Sequence, residues 1–263
     1  MSITHDHYLK YTSPSVLDET LAFHAKGNYV IHKTTHHLST LHQLPPSALE
    51  KLTGNELQLN ILACENGQGN IELTGLPSSH PLQRNSSCER FNERPLHFDT
   101  VRTLLAPLLE KDSTTGKRGY PSGGALYPIQ VFCINLNNTI QQWPSEQSAL
   151  HLLPSSRSFE VHTPDLNSKP LARAILPMTA DMGSPSLALI YFIYLPKALF
   201  KYRYRGYRLA LMEVGSMYML TDLRCKELKL GSRPWSGFTD HQVSKYLNLN
   251  PTLFLPACIQ LIG

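Results

Sequence analysis

The sequence is poor in the features that mark several protein classes. Its five cysteines stand at 64, 88, 133, 225 and 258, an odd number with wide gaps and no C-x-x-C pair. That argues against a disulfide framework or a structural zinc site. The longest apolar run, Leu187 to Leu195, has nine residues and is too short to cross a bilayer as a helix. The opening MSITHDHYLKY lacks a basic stretch followed by an apolar one, so no signal peptide is expected. The expectation is a soluble, cytoplasmic protein. Charge of one sign is scarce: 24 Lys and Arg against 20 Asp and Glu leave a net charge of +4. That tolerates an anionic ligand but is far from the excess a nucleic-acid binder carries. His5, His7, His36 and His37 lack partner ligands at metal spacing, and no metal site is expected. There is no G-x-S-x-G elbow, no H-E-x-x-H, no Walker A loop and no G-x-G-x-x-G. Repeats and low-complexity tracts are absent too.

What is present is an ordinary globular composition: 263 residues, 41% hydrophobic, 17% charged and 9% aromatic. A chain of this length buries a large core without staples. Residues 1 to about 80 read differently from the rest. Val16 to Lys26 has helical spacing, with Gly27 as a stop. ELQLNILAC (56–64) alternates like a strand, and ENGQGN (65–70) followed by IEL predicts a hairpin. LPSSHPLQRN (76–85) reads as a linker, which places a boundary near 80. Beyond it, Val101 to Glu110 predicts a helix capped by Asp99 or Thr100 and shortened by Pro107. Tyr127 to Leu136 and Leu187 to Leu195 are apolar on both faces, as central strands are, with polar hairpin-like segments between them. Cys133 and Cys258 lie in apolar runs and read as core thiols. Tyr207 to Leu228 is the longest helical pattern, with Leu211, Val214, Gly215, Tyr218 and Leu223 as its apolar positions and Gly231 closing it. Leu253 to Leu261 is a strand interrupted by a proline. Strands mixed with a few long helices predict an α+β fold.

Three segments carry candidate chemistry. RGYPSGGALYP (118–128) enters a buried strand; Gly123 and Gly124 permit close backbone approach, and Ser122 adds a hydroxyl donor. Such a turn holds a phosphate or a ribityl chain, or is simply a tight turn. FKYRYRGYR (200–208) packs four cations and three tyrosines directly before the long helix. It reads as an anion site at that helix start, as a lysine-tyrosine base, or as a solvated basic patch. RPWSGF (233–238) offers Trp235 and the N–H groups around Ser236 and Gly237 to a planar ligand edge, or is a loop with a core tryptophan.

Together these segments resemble the flavin-dependent nitroreductase superfamily. More narrowly, PSGGALYP (121–128) and ALFKYRYRGYR (198–208) followed by ALMEVGSMY (210–218) resemble its azoline dehydrogenase branch, the streptolysin-type dehydrogenases of thiazole/oxazole-modified microcin synthetases. The resemblance is clearest over about 80 to 263. It implies a central, mostly antiparallel sheet flanked by helices, forming an FMN-binding domain over 81–263 behind an N-terminal extension, 1–80, that contacts a partner or peptide. It implies FMN held between the subunits of a homodimer. The implied reaction oxidises thiazolines and oxazolines of a precursor peptide to azoles during maturation of a microcin-like bacteriocin, alongside a cyclodehydratase. Lys201 and Tyr202 would be catalytic. Ser122, Gly123 and Gly124 match the turn that reaches the partner subunit's FMN. Trp235, Ser236 and Gly237 match the loop facing the flavin ring. Arg84 and Ser87 fall at the superfamily's Arg-x-Ser phosphate motif, with Arg203 and Arg205 as further phosphate contacts. The alternatives are a general NAD(P)H-dependent flavin oxidoreductase and a non-catalytic scaffold subunit of the synthetase.

Overall fold

The structure is a computed structural model that describes residues 6–28, 45–48, 73–111, 114–145, 149–162, 168–177 and 180–263. The expected hairpin at 56–72 lies outside the described residues. Contacts divide the chain into two compact units, one of residues 1–30 with 84–263, the other of residues 31–83. The first thirty residues, read above as part of one extension, thus belong to the main body. In the smaller unit, residues 73–83 form turns without a regular element.

In the larger unit, helix α1 (Asp6–Leu9) and helix α2 (Pro14–Lys26) come first. A short strand β1 (Leu96–His97) runs into α3 (Phe98–Leu105). The cap of α3 is neither Asp99 nor Thr100. The His97 ring accepts from the Asp99 N–H at 3.3 Å, and the helix tightens into a 3-10 turn (Ala106–Leu108) at Pro107. There follow β2 (Ile129–Asn135), β3 (Ile140–Gln141), β4 (Ala149–Leu153), β5 (Ser158–His162) and α4 (Ser168–Ile175). Then come β6 (Leu187–Tyr194), α5 (Leu195–Tyr202), α6 (Tyr204–Glu227), β7 (Ser232–Trp235), α7 (Asp240–Tyr246) and β8 (Phe254–Ile262).

The main sheet has six strands in the order β5-β4-β2-β6-β8-β7, every pairing antiparallel. All eight residues of β6 are buried. Its two faces feed two cores. Leu187, Leu189, Tyr191 and Ile193 pack with α3 and α6. Ala188, Ile190 and Phe192 pack with α4 and α7. That two-residue period on a strand covered on both sides explains the unbroken apolar run. At Pro256 the β6-β8 register shifts between Tyr191 and Phe192, which accommodates the missing N–H as a bulge.

Helix α6 starts three residues earlier than its pattern predicted and ends at Glu227, with Lys229 left-handed at φ 56°. Gly231 is therefore not its stop; it exchanges backbone hydrogen bonds with Gly263. Its buried face is also different. Gly206, Ala210, Glu213, Val214, Met217, Thr221 and Cys225 are buried at helical spacing, while Leu211 is 42% exposed. The reason lies at Gly206, where a Cβ would stand 1.9 Å from the Ala198 carbonyl oxygen. That close α5-α6 crossing sets the rotation of the helix. Among the described residues no helix is long and apolar enough to cross a membrane. Cys133 is fully buried as expected, whereas Cys258 is only partly so.

Candidate active site

The 121–128 turn is built on left-handed residues: Gly124 (φ 63°), Ala125 (φ 55°) and Tyr127 (φ 49°). Only the glycine takes this conformation without steric cost. The Ser122 hydroxyl is its hub. It accepts from the Tyr127 N–H at 2.8 Å and hydrogen-bonds the Glu213 carboxyl on α6. The side chain read above as a donor to a ligand is thus engaged inside the protein. Gly123 lies against α6, where a Cβ would meet Leu209 Cδ1 at 2.8 Å.

Helix α5 carries Lys201 and Tyr202 to the same turn. A Cβ on Gly124 would lie 2.5 Å from the Tyr202 hydroxyl and 3.2 Å from Lys201 Nζ. Lys201 Nζ stands 5.3 Å from the centre of the Tyr202 ring. Lys201 is exposed and Tyr202 half-buried. The chain breaks at Arg203, whose φ of 49° and ψ of −135° is a sparsely populated conformation for a side-chain-bearing residue. The basic segment therefore does not precede the long helix as one loop. Residues 195–202 end one helix and 204–208 begin the next. Arg203 and Arg205 are exposed and form no ion pair among the described residues.

Beneath the turn lies a buried polar group that sequence reasoning missed. Glu213 is 2% exposed. Burial pushes its carboxyl up to about 7, against the pull of the Ser122 hydrogen bond, Arg118, the Ile129 N–H and Lys197. Its Oε1 makes no hydrogen bond. Arg118 lies over the Tyr127 ring at 4.3 Å and donates to the Tyr120 hydroxyl at 2.9 Å. Burial raises the Tyr120 hydroxyl to about 12. Lys197, one turn before Lys201, is held below the usual lysine range by burial first and by Arg118 second. Lys197 lies outside the 200–208 segment read as a lysine-tyrosine base, and within that segment Lys201 is exposed. The four-residue spacing of Lys197 to Lys201 was a usable signal; nothing in ALMEVGSMY flagged Glu213 as more than a helical polar residue.

A second cluster sits at the other half of α6. Arg84 Nε meets Asp222 Oδ2 at 2.5 Å, and Arg84 donates to the Ser87 hydroxyl at 3.2 Å. The same segment is tied to β7: the Cys88 N–H donates to the Ser232 carbonyl at 3.0 Å, and Arg233 donates to the Cys88 carbonyl at 3.1 Å. The segment read as a loop at 233–238 thus begins as an edge strand. Trp235 donates from its indole N–H to the Ile175 carbonyl at 2.8 Å and packs its ring on Gly237, where a Cβ would lie 2.5 Å away. Ser236 is exposed and Gly237 partly so. Glu213 and Asp222 are nine residues apart on α6, about 13 Å at helical rise. One chain therefore gathers Ser122, Gly123, Gly124, Lys201 and Tyr202 in one place. It gathers Arg84, Ser87 and the Trp235–Gly237 segment in another.

No protein-family model matches the chain. It is 34% identical over 258 residues to the microcin B17-processing protein McbC of Escherichia coli, covering 96% of this chain and 92% of that protein. Among solved structures, the E. coli microcin synthetase McbBCD complex with truncated pro-MccB17 bound contains a chain that superposes with TM-score 0.83 at 32% identity, covering 100% of this chain and 97% of that one. A protein named as a nitroreductase from Ralstonia eutropha JMP134 superposes with TM-score 0.56 at 20% identity, over 74% of this chain and 86% of that one. The fold is that of the nitroreductases. Within it, the chain belongs to the family of the microcin B17-processing protein McbC.

Proposed function

We propose that this protein is an FMN-dependent azoline dehydrogenase, which oxidises thiazolines and oxazolines of a ribosomally made precursor peptide to thiazoles and oxazoles. The observation that carries the reading is the convergence of Lys201 Nζ and the Tyr202 hydroxyl on Gly124. It supplies a proton acceptor beside a backbone turn that a ligand can approach closely. The relative's name and the pro-peptide in the related complex support a peptide substrate and synthetase partners; a cyclodehydratase is the partner this reaction calls for, since it must supply the azoline.

The residues present fit a flavin mononucleotide. Arg84 is a partly exposed guanidinium fixed by Asp222 and Ser87, suited to a phosphate. Arg203 and Arg205, in no ion pair among the described residues, add positive charge, and exposed Ser236 is placed to meet a planar edge. The two clusters lie on different halves of one helix, which favours a homodimer in which each FMN is shared between subunits. When bound, FMN supplies the hydride acceptor. Lys201 and Tyr202 take the proton from the former peptide Cα of the azoline. The turn at 122–124 orients the ring against that pair, and the nearby arginines stabilise the developing negative charge. Aromatisation supplies the driving force.

The test is direct. The purified protein should show a flavin absorbance spectrum, release FMN, and convert azoline to azole in a reconstituted synthetase. A protein that refuses added FMN, or that consumes NAD(P)H rapidly without any peptide, refutes this reading.

A further inference from the structure

Glu213 poses a question that the proposed reaction leaves open. It is a carboxyl 2% exposed, with Oε2 on Ser122, the Ile129 N–H close enough to favour its charged form, and Oε1 outside hydrogen-bond geometry. Such a group is costly to bury unless it serves a purpose. Together with Ser122, Gly123, Tyr202, Gly206 and Leu209 it lines a small cavity. The free space there is about 10 Å³, the room of a single water. Three of the residues lining it, Ser122, Glu213 and Tyr202, carry polar side chains suited to partner that water.

The hydrogen-bond chemistry of Ser122 then depends on its neighbour. A serine hydroxyl has one proton to donate and two lone pairs. The Tyr127 N–H occupies one lone pair. When Glu213 is ionised, it can only accept, so Ser122 must donate to it. When Glu213 is protonated, the carboxyl can donate into the second lone pair of Ser122. The Ser122 proton is then released from Glu213 and turns toward the cavity. We propose that Glu213 is a positioning residue whose protonation turns the Ser122 hydroxyl between the protein interior and the Tyr202 side of the cavity. In its outward setting, Ser122 donates through the cavity water to the Tyr202 oxygen and supports the negative charge that a proton-accepting tyrosine needs. This deepens, and rests on, the reading of Tyr202 as part of the base.

The charged and titratable groups around Glu213 fit such a switch. Arg118 and Tyr120 face it from the turn segment, the Ile129 N–H from β2 and Lys197 from α5, and Tyr202 lines the same cavity. Arg118 and Lys197 favour the charged form while burial favours the neutral one, so both settings are within reach near neutral pH.

The test reads Tyr202 rather than turnover alone. In full-length protein with ¹³C-labelled carboxyl and tyrosine ring carbons, the Glu213 resonance is identified by its loss in Glu213→Gln. The Tyr202 resonance should move with the same midpoint as Glu213 in the wild type, and should not move over that range in Ser122→Ala or Glu213→Gln. A Tyr202 resonance insensitive to Glu213, or one that still follows it in Ser122→Ala, overturns the proposal. In the reconstituted synthetase, azoline oxidation should fall about tenfold per pH unit once Glu213 ionises, and Glu213→Gln should remove that fall. The same fall in Glu213→Gln overturns it as well. Absence of azoline oxidation by the wild type at every pH would sink the assigned reaction, and the tyrosine resonance would still decide the coupling.

Discussion

The Tyr202 hydroxyl stands 2.5 Å from where a Cβ on Gly124 would be. That contact locks the 121–128 turn to the end of α5. Gly124 is also left-handed, at φ 63°, so any side chain there meets two penalties at once. Gly124→Ala should cost about 1–2 kcal/mol in backbone strain and displace Tyr202. The expected result is a modest drop in melting temperature with about a hundredfold loss of azoline oxidation, the cost of moving a proposed catalytic group by about 1 Å. An alanine variant with full activity would show that the Gly124-Tyr202 contact does not matter.

Lys201 is exposed, and its removal opens no cavity. Lys201→Ala should therefore keep its stability within about 0.5 kcal/mol and keep its flavin, yet accumulate azoline. The expected loss is about 10²- to 10⁴-fold, the range for a positioned base. Tyr202→Phe should fall in the same range. Mass spectrometry of the peptide distinguishes azoline from azole by two hydrogens. An undiminished azole yield from Lys201→Ala would take it out of the reaction.

The candidate segments at 118–128 and 200–208 stood out because their signals are local. Paired glycines at 123–124 and the alternating cations and tyrosines at 200–208 are visible without any fold. The central strands were legible too, since β6 is covered on both faces and reads as one apolar run. What stayed hidden depends on long-range packing. Glu213 becomes a buried carboxyl only when the 121–128 turn lies across α6. The buried face of α6 follows from the Gly206-Ala198 approach, which periodicity cannot report. His97 caps α3 with a ring nitrogen, outside the usual capping set.

Asp222 is 4% exposed and its ion-pair partner among the described residues is Arg84. Arg84→Ala leaves that carboxylate buried and unpaired. Because Arg84 is itself one third exposed, solvent discounts the cost to about 1–2 kcal/mol. The variant should also bind FMN about tenfold more weakly, the worth of one charge-assisted contact. Asp222→Asn separates the effects: it relieves the buried charge but leaves Arg84 less firmly held. A folded Arg84→Ala protein with undiminished FMN affinity would remove Arg84 from the phosphate site.

Glu213 also governs how stability depends on pH. Its carboxyl is raised from the ordinary glutamate value to about 7 in the folded chain. Between about pH 4.5 and 7 the native state then binds more protons than the unfolded state. Stability from this group is fully present below the unfolded value and is lost as pH rises through 7. The loss is at most about 3 kcal/mol. Burial holds His24 and His151 below the usual histidine range, which contributes the opposite slope as pH falls through about 6.5. The whole-protein curve therefore mixes two trends, and a difference measurement is needed. Melting temperatures of wild type and Glu213→Gln should diverge from pH 5 to about pH 7 and level off above it, with the glutamine variant the more stable at the alkaline end. Parallel curves across that range would mean that Glu213 titrates at its ordinary value and is already ionised at neutral pH despite its burial.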